Sequence, residues 1–146
     1  MRVRIIAVGK AKDRSLRALL DDYYARIGRY AKFEEVEIKD GDTVEVAEKL
    51  SRNIPDRSRV VALEVDGRTL SSRELANWLG RAENDSVQTV VFLIGGAYGL
   101  PQEISKNAHL RLSLSAMTFP HRLARLTLAE QIYRGFSILR GEPYDH

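Results

Sequence analysis

The chain has 146 residues, 44% hydrophobic and 29% charged, which is an ordinary globular composition and predicts a single domain, residues 1–146. It contains no cysteine, which excludes disulfides, thiolate metal sites and cysteine nucleophiles. The net charge of +3 is unevenly placed, because nine basic but only three acidic residues fall within the first 32. Such a segment can steer toward phosphates, although a solvated helix face balanced by acids elsewhere explains the pattern equally well.

Hydrophobic periodicity predicts four elements in the first half of the chain. They are a strand at Val3–Val8, a helix from an Asp13 cap to about Tyr30, a half-exposed strand at Phe33–Ile38 and a helix at Thr43–Asn53.

The second half continues the alternation of strands and helices. The predicted elements are a strand at Arg59–Val65 closed by Asp66 and Gly67, a helix from a Ser71/Glu74 capping box through Leu79, a strand at Val87–Ile94, a short helix opened by Pro101, a strand at Leu110–Leu114 and a long helix at Leu123–Leu139. This order predicts an α/β domain, with a parallel or mostly parallel sheet and helices on both faces.

Two strand ends have unusual residues. The buried-looking strand ending at Ile94 runs into Gly95, Gly96 and Gly99, and the next strand leads into Ser113, Ser115 and Thr118. Ligands of open α/β sheets bind at the carboxyl ends of strands, so we expect one shared pocket. The glycines either let backbone amides approach a flat heterocycle or supply a tight turn with positive φ. Spacing alone favours the turn.

Several function classes lack their motifs. The chain has neither the G-x-G-x-x-G of dinucleotide folds nor a phosphate loop, and its three histidines form no H-E-x-x-H. We therefore expect no dehydrogenase, no NTPase and no metal site. His121 can relay a proton, but hydrogen bonds to loop carbonyls are the simpler interpretation. No apolar run approaches the roughly 20 residues of a membrane span, and the first residues lead into a strand rather than a signal peptide, so we expect a cytoplasmic protein.

A family resemblance is carried by an ordered set of blocks. These are Ile6–Lys10, Leu63–Glu64 with Asp66–Gly67, Leu93–Gly96 with Gly99–Leu100, Leu114–His121, Glu130–Arg134 and Glu142–Tyr144. In this order and over the whole chain they resemble the RlmH family, the small SPOUT-class ribosomal RNA methyltransferases of bacteria.

The resemblance implies a fold and a reaction. It implies a C-terminal trefoil knot, an exception to the rule that chains avoid knots. It also implies a homodimer that binds S-adenosylmethionine in the knot and methylates N3 of a pseudouridine in large-subunit (23S) ribosomal RNA, within the assembled ribosome. Carried over by position, the cofactor pocket consists of Leu63, Gly95, Leu114, Ser115, Ala116, Met117, Thr118 and Phe119. We expect a branched side chain at Gly95 to block this pocket and leave the dimer folded.

The acceptor side is less well marked. Arg134, Tyr144 and His146 are the candidates, with an Arg134–Glu130 ion pair and a tail aromatic folded onto the partner subunit as the alternatives. Asp145 stands where the family usually has histidine, so the base is either Asp145 or His146, or neither. We expect the partner subunit to complete each acceptor site. Four apolar residues of the last helix are the predicted interface: Leu126, Ile132, Phe136 and Leu139.

Two rival functions stay open. One is a SPOUT enzyme that methylates a ribose hydroxyl or another base. The other is a non-catalytic ribosome-binding protein that has kept the fold.

Overall fold

The computed structural model describes residues 1–145, and the predicted catalytic residue His146 lies outside them. Strands and helices alternate along the described chain. In order they are β1 (Arg2–Val8), α1 (Arg14–Ile27), β2 (Lys32–Ile38), α2 (Thr43–Asn53), β3 (Arg59–Thr69), α3 (Ser72–Asn84), β4 (Thr89–Ile94), α4 (Gln102–Lys106), β5 (Leu110–Ser113) and α5 (His121–Leu139). Within this range, no helix has the length and apolar character needed to cross a bilayer.

The five strands form one sheet in the order β2-β1-β4-β3-β5, and every neighbouring pair is parallel. This confirms the predicted α/β fold. The helices α1, α3 and α5 pack on one face, and α2 and α4 pack on the other. All six residues of the central strand β4 are buried, as expected for a strand covered on both faces. Because the strands are parallel, all their carboxyl ends lie at one edge of the sheet, called the carboxyl edge below.

The sequence prediction misplaced the end of β3. The strand does not stop at Val65 but runs on to Thr69, with an irregularity that lets both Leu63 and Arg68 pair with Leu112. Gly67 lies within it rather than in a closing turn. A Cβ atom at Gly67 would lie 2.6 Å from the carbonyl oxygen of Arg111, so the close approach of β5 requires glycine there.

The predicted dimer interface needs correction. Ile132 and Phe136 are fully buried within the chain, because α5 packs between α1 and α3. They are therefore not available to a partner. Leu126 and Leu139 are half-buried and keep some exposed apolar surface.

A buried arginine ties the first turns of α5 to the edge strand β2. The Arg125 side chain is 0% exposed, and its NH2 group donates to Glu35 Oε2 and Glu37 Oε2, both at 2.7 Å. Arg17 of α1 also donates to Glu35, at 3.0 Å. Burial opposes ionisation of Glu35, but the hydrogen bonds from Arg17 and Arg125 outweigh it and lower its pKa. The network is thus a charged clamp between α5, α1 and β2.

Replacing Arg125 with alanine tests this clamp. The change leaves Glu35 and Glu37 with Arg17 as their remaining cation, at 3.0 and 3.7 Å. Breaking a buried pair costs roughly 3–5 kcal/mol. We expect a loss of about 3 kcal/mol in the free energy of unfolding, at the lower end because both carboxylates are partly exposed. Urea denaturation at neutral pH measures it.

Arg122→Ala is the matched control. The Arg122 side chain is 68% exposed and pairs with Asp13 at 3.3 Å on the surface. Its removal should therefore cost less than about 1 kcal/mol. Equal losses for the two variants would contradict the role of Arg125 as a clamp.

Candidate active site

A cavity of about 370 Å³ opens at the carboxyl edge, where β3, β4 and β5 end and α5 begins. This volume is within the roughly 300–1,000 Å³ of small-molecule sites. Most of the wall is apolar or backbone. The lining residues are Leu63, Glu64, Val65, Ile94, Gly95, Gly96, Ala97, Gly99, Leu100, Leu114, Ser115, Met117, Thr118, Phe119, His121 and Ala124.

The cavity brings together nearly all the residues predicted for a cofactor pocket. Seven of the eight line it: Leu63, Gly95, Leu114, Ser115, Met117, Thr118 and Phe119. Ala116 is exposed on the same loop but does not line the cavity. The convergence follows from the sheet order, because β3 lies between β4 and β5 and all three strands end at the same edge.

The glycine loop after β4 folds back on itself. The Gly99 amide donates to the Gly96 carbonyl at 3.0 Å, and Gly99 has a φ of +80°, which fits the positive-φ turn interpretation. Gly95 serves a different purpose. A Cβ atom there would lie 2.5 Å from the carbonyl carbon of Gly99. A side chain at Gly95 would thus distort the loop itself, and our expectation that it acts only by blocking the pocket is corrected.

The serine-rich loop after β5 is held by its own hydroxyl groups. Ser113 Oγ donates to the Val65 carbonyl at 2.8 Å, and Ser115 Oγ accepts from the Met117 amide at 3.0 Å. These hydroxyls shape the loop and join it to β3. The loop presents largely apolar side chains to the cavity, including Met117, which is 76% exposed.

Glu64 is a lining residue to which the sequence prediction gave no role. Its Oε2 accepts a hydrogen bond from Ser105, and Arg111 NH2 lies 3.6 Å from it. It is the one acidic side chain in the described lining. The sequence contained a signal for it, because Glu64 directly follows Leu63, a predicted pocket residue, and precedes the irregularity in β3. No group of three or more potential metal-binding side chains occurs within residues 1–145.

His121 contributes an uncharged ring to the cavity wall. Burial lowers its pKa, and the positive charge of Arg125, one helical turn later, lowers it further. The imidazole is therefore neutral near pH 7. Its Nε2 atom is buried and has no hydrogen-bond partner in the described part of the chain. A backbone hydrogen bond with Gly95 opposes this lowering of the pKa, as the loop-carbonyl interpretation predicts, and Nε2 is the atom that this interpretation leaves unexplained.

Arg134 is held by two carboxylates. Its Nε lies 2.9 Å from Glu130 Oε1, and its NH1 lies 2.8 Å from Asp145 Oδ1. The ion pair with Glu130 considered as an alternative is therefore present. These hydrogen bonds raise the pKa of Arg134 further above its usual value, so the group is permanently charged.

Tyr144 packs within its own chain. Its ring lies edge-on to Tyr133, with centroids 4.6 Å apart, and the Arg134 guanidinium lies 4.7 Å from the Tyr144 ring centroid. Burial, followed by a hydrogen bond with Tyr23, raises the pKa of Tyr144 to about 12. The phenol therefore keeps its proton near neutral pH.

The structure does not bring the two halves of the predicted site together in one chain. His121 lines the cavity at the first residue of α5, whereas Arg134 is 13 residues further along the same helix. At about 1.5 Å per residue, the Cα atoms of these two residues are about 20 Å apart. Tyr144 and Asp145 are at the Arg134 end.

Comparisons with known proteins match the whole chain. The family model described as "Predicted SPOUT methyltransferase" matches residues 1–146. Ribosomal RNA large subunit methyltransferase H of Sorangium cellulosum is 49% identical over 146 residues, covering 100% of both chains. The protein of the same name from Geotalea daltonii is 40% identical over 153 residues, again with full coverage of both.

A solved structure supports the fold. A probable methylase family protein from Haemophilus influenzae superimposes with a TM-score of 0.54 at 14% identity, over 95% of this chain and 66% of that chain. Identity this low speaks for the fold alone. Together with the full-length sequence matches, the parallel sheet and the cavity at its carboxyl edge show that the chain belongs to the SPOUT methyltransferase family.

Proposed function

We propose that the protein transfers a methyl group from S-adenosylmethionine to N3 of a pseudouridine in large-subunit (23S) ribosomal RNA. The acceptor is the assembled ribosome, which puts the reaction in the cytoplasm. The observation that carries the proposal is the single cavity formed by three strand exits in a chain of this family. The names of the full-length relatives support ribosomal RNA as the substrate class.

The cavity wall fits the methyl donor. Apolar side chains such as Leu114, Met117 and Phe119 suit a flat heterocycle. Glu64, which Ser105 and Arg111 hold in place, adds an acidic group to the wall. We assign the donor site to Glu64 and to the seven predicted residues that line the cavity. When bound, S-adenosylmethionine supplies a methyl group on a positively charged sulfur.

The chain's own residues must align the acceptor and manage one proton. Well-oriented reactions gain effective molarities on the order of 10⁵–10⁸ M, so alignment is the main requirement. The permanently charged Arg134 can hold a phosphate or the oxygen of a deprotonated base, and Tyr144 can stack on a ring. Tyr144 is protonated and Asp145 is bound to Arg134, so neither is the base in this arrangement. A role for His146 stays a prediction.

We further propose a homodimer in which each acceptor site is composite. One chain separates its cavity from its Arg134 by about 20 Å along α5. A second copy related by two-fold symmetry can bring its own Arg134 and tail to the cavity of the first. The trefoil knot of the C-terminal segment stays a prediction.

Product analysis tests the reaction. The protein is incubated with S-adenosylmethionine carrying a tritiated methyl group and with ribosomes that lack the modification. We expect label in the large-subunit RNA and N3-methylpseudouridine in nucleoside mass spectra. A methyl group on ribose or on another base would contradict the N3 assignment. No label, and no heat on calorimetric titration with S-adenosylmethionine, would favour the non-catalytic rival.

Filling the cavity should weaken donor binding. Thr118 is exposed and lines the cavity, so Thr118→Trp places an indole in its space without changing the core. We expect affinity for S-adenosylmethionine to fall by roughly tenfold or more, an effect of about 1.4 kcal/mol or larger. Isothermal titration calorimetry measures it. Thr43→Trp, the same change at an exposed position on α2, is the control and should bind normally. Equal weakening in both variants would remove Thr118 from the donor site.

Heterodimers of two inactive variants test the composite site. Thr118→Trp and Arg134→Ala chains carrying different tags are co-expressed, and the mixed dimer is isolated. If the cavity of one chain works with the partner's acceptor side, one intact site remains and about half of the wild-type activity returns, since a two-fold dimer has two equivalent sites. If each chain uses its own Arg134, the mixed dimer is inactive.

A further inference from the structure

Two loops lie beside the cavity at the carboxyl edge, and the first of them is basic. Residues 9–13 follow β1 and residues 39–42 follow β2. The second loop meets the glycine loop, because a Cβ atom at Gly96 would lie 2.6 Å from Asp40 Oδ2 and 3.0 Å from Val8 Cγ1. The first loop meets the start of α5 through the Arg122–Asp13 ion pair at 3.3 Å. Both loops therefore extend the surface around the cavity mouth.

The basic side chains of the first loop have no ion-pair partner in the part of the chain that the structure describes. We call Lys10, Lys12 and Arg14 the basic rim. All three are exposed, and none has an ion pair within residues 1–145. The second loop carries Lys39 together with Asp40 and Asp42, so it adds no net positive charge.

The nearby acids already accept hydrogen bonds from the backbone. Asp13 caps α1 by accepting from the Ser15 amide at 2.8 Å, and Asp42 caps α2 by accepting from the Glu45 amide at 2.9 Å. Asp40 accepts from the Gly41 amide at 2.9 Å and faces the glycine loop. Glu37 accepts from the Ala11 amide at 2.7 Å as well as from Arg125.

At the opposite edge of the sheet, where the strands begin and which we call the amino edge, several arginines are paired. Arg2 and Arg4 share Glu34, Arg59 pairs with Asp85, and Arg140 pairs with Glu83. The basic character of the first 32 residues is therefore divided in space. At the amino edge Arg2 and Arg4 are neutralised by Glu34, whereas Lys32 is exposed and has no ion pair in the described chain. At the carboxyl edge the three residues of the basic rim face solvent.

We propose that the basic rim binds the phosphodiester backbone of the acceptor RNA and guides it to the adjacent cavity. The proposal rests on RNA being the acceptor. A single small anion needs a buried, preformed site, whereas a polyanion is held by spaced, exposed charges that release counterions. Such contacts position a nucleic acid without reading its sequence.

An exposed aromatic completes this surface. Tyr98, in the glycine loop, is 97% exposed, while its neighbours Ala97 and Gly99 line the cavity. An aromatic ring in open solvent beside the cavity is suited to stack on an unpaired nucleobase, a contact worth roughly 1–3 kcal/mol. A surface that offers both positive charge and an aromatic ring for stacking favours single-stranded RNA over a polyanion that has no bases.

Charge reversal tests the basic rim. Lys10→Glu/Lys12→Glu is compared with Lys32→Glu/Lys106→Glu, which changes the net charge equally at two exposed lysines of the amino edge. Methylation of unmodified ribosomes is measured over a series of salt concentrations. We expect the rim variant to lose roughly tenfold or more in kcat/KM. The slope of log KM against log salt should shrink by about one to two, for one or two lost phosphate contacts. The control should stay near wild type.

Three further readouts decide the outcome. Calorimetry with S-adenosylmethionine should be normal in both double variants, so loss of donor binding would signal a failed fold or donor site rather than a failed rim. Tyr98→Ala should raise KM without changing the salt slope, and Tyr98→Phe should restore it. Equal effects of the two double variants, or an unchanged salt slope, would overturn the proposal even if methylation itself is observed.

Discussion

All five strands run in the same direction, and the candidate site depends on that constraint. Parallel neighbours must be joined by crossovers that return to the starting edge, so every strand in this sheet ends on the same side. Residues at the carboxyl ends of β3, β4 and β5 then form one cavity, and the loops after β1 and β2 extend the surface around it. An antiparallel β4 would move the glycine loop to the opposite edge and leave no shared pocket.

The helix α5 connects two regions with different electrostatics. At its start, the buried Arg125 joins it to carboxylates of β2, and His121 stays neutral beside the cavity. At its other end, Arg134 is charged and held by Glu130 and Asp145. A rigid helix cannot bend these regions toward each other. The length of this helix thus keeps the donor half and the acceptor half of the proposed site apart. This separation is the physical argument for a second subunit.

Sequence patterns predicted the strands and helices better than they predicted the contacts between them. Alternating apolar runs located all ten elements, and the Ser71/Glu74 capping box is present. Gly67 was wrongly predicted to lie in a turn. The sequence shows a glycine at this position, but it does not show which neighbouring backbone comes close enough to require it. Arg125 was overlooked because its partners, Glu35 and Glu37, are about ninety residues away. A long-range ion pair leaves no periodic pattern in the sequence. In the same way, the sequence of α5 alone does not show that α1 and α3 bury Ile132 and Phe136.

The close contact at Gly67 has a consequence for how this chain can diverge. β5 has four residues and pairs only with β3, so its position depends on the backbone of β3 beside it. Any side chain at Gly67 would push against the Arg111 carbonyl and shift β5, together with the loop that leads from it into the cavity. Descendants of this sequence are therefore free to vary the exposed lining residues, but not this glycine, unless they rebuild the edge of the sheet.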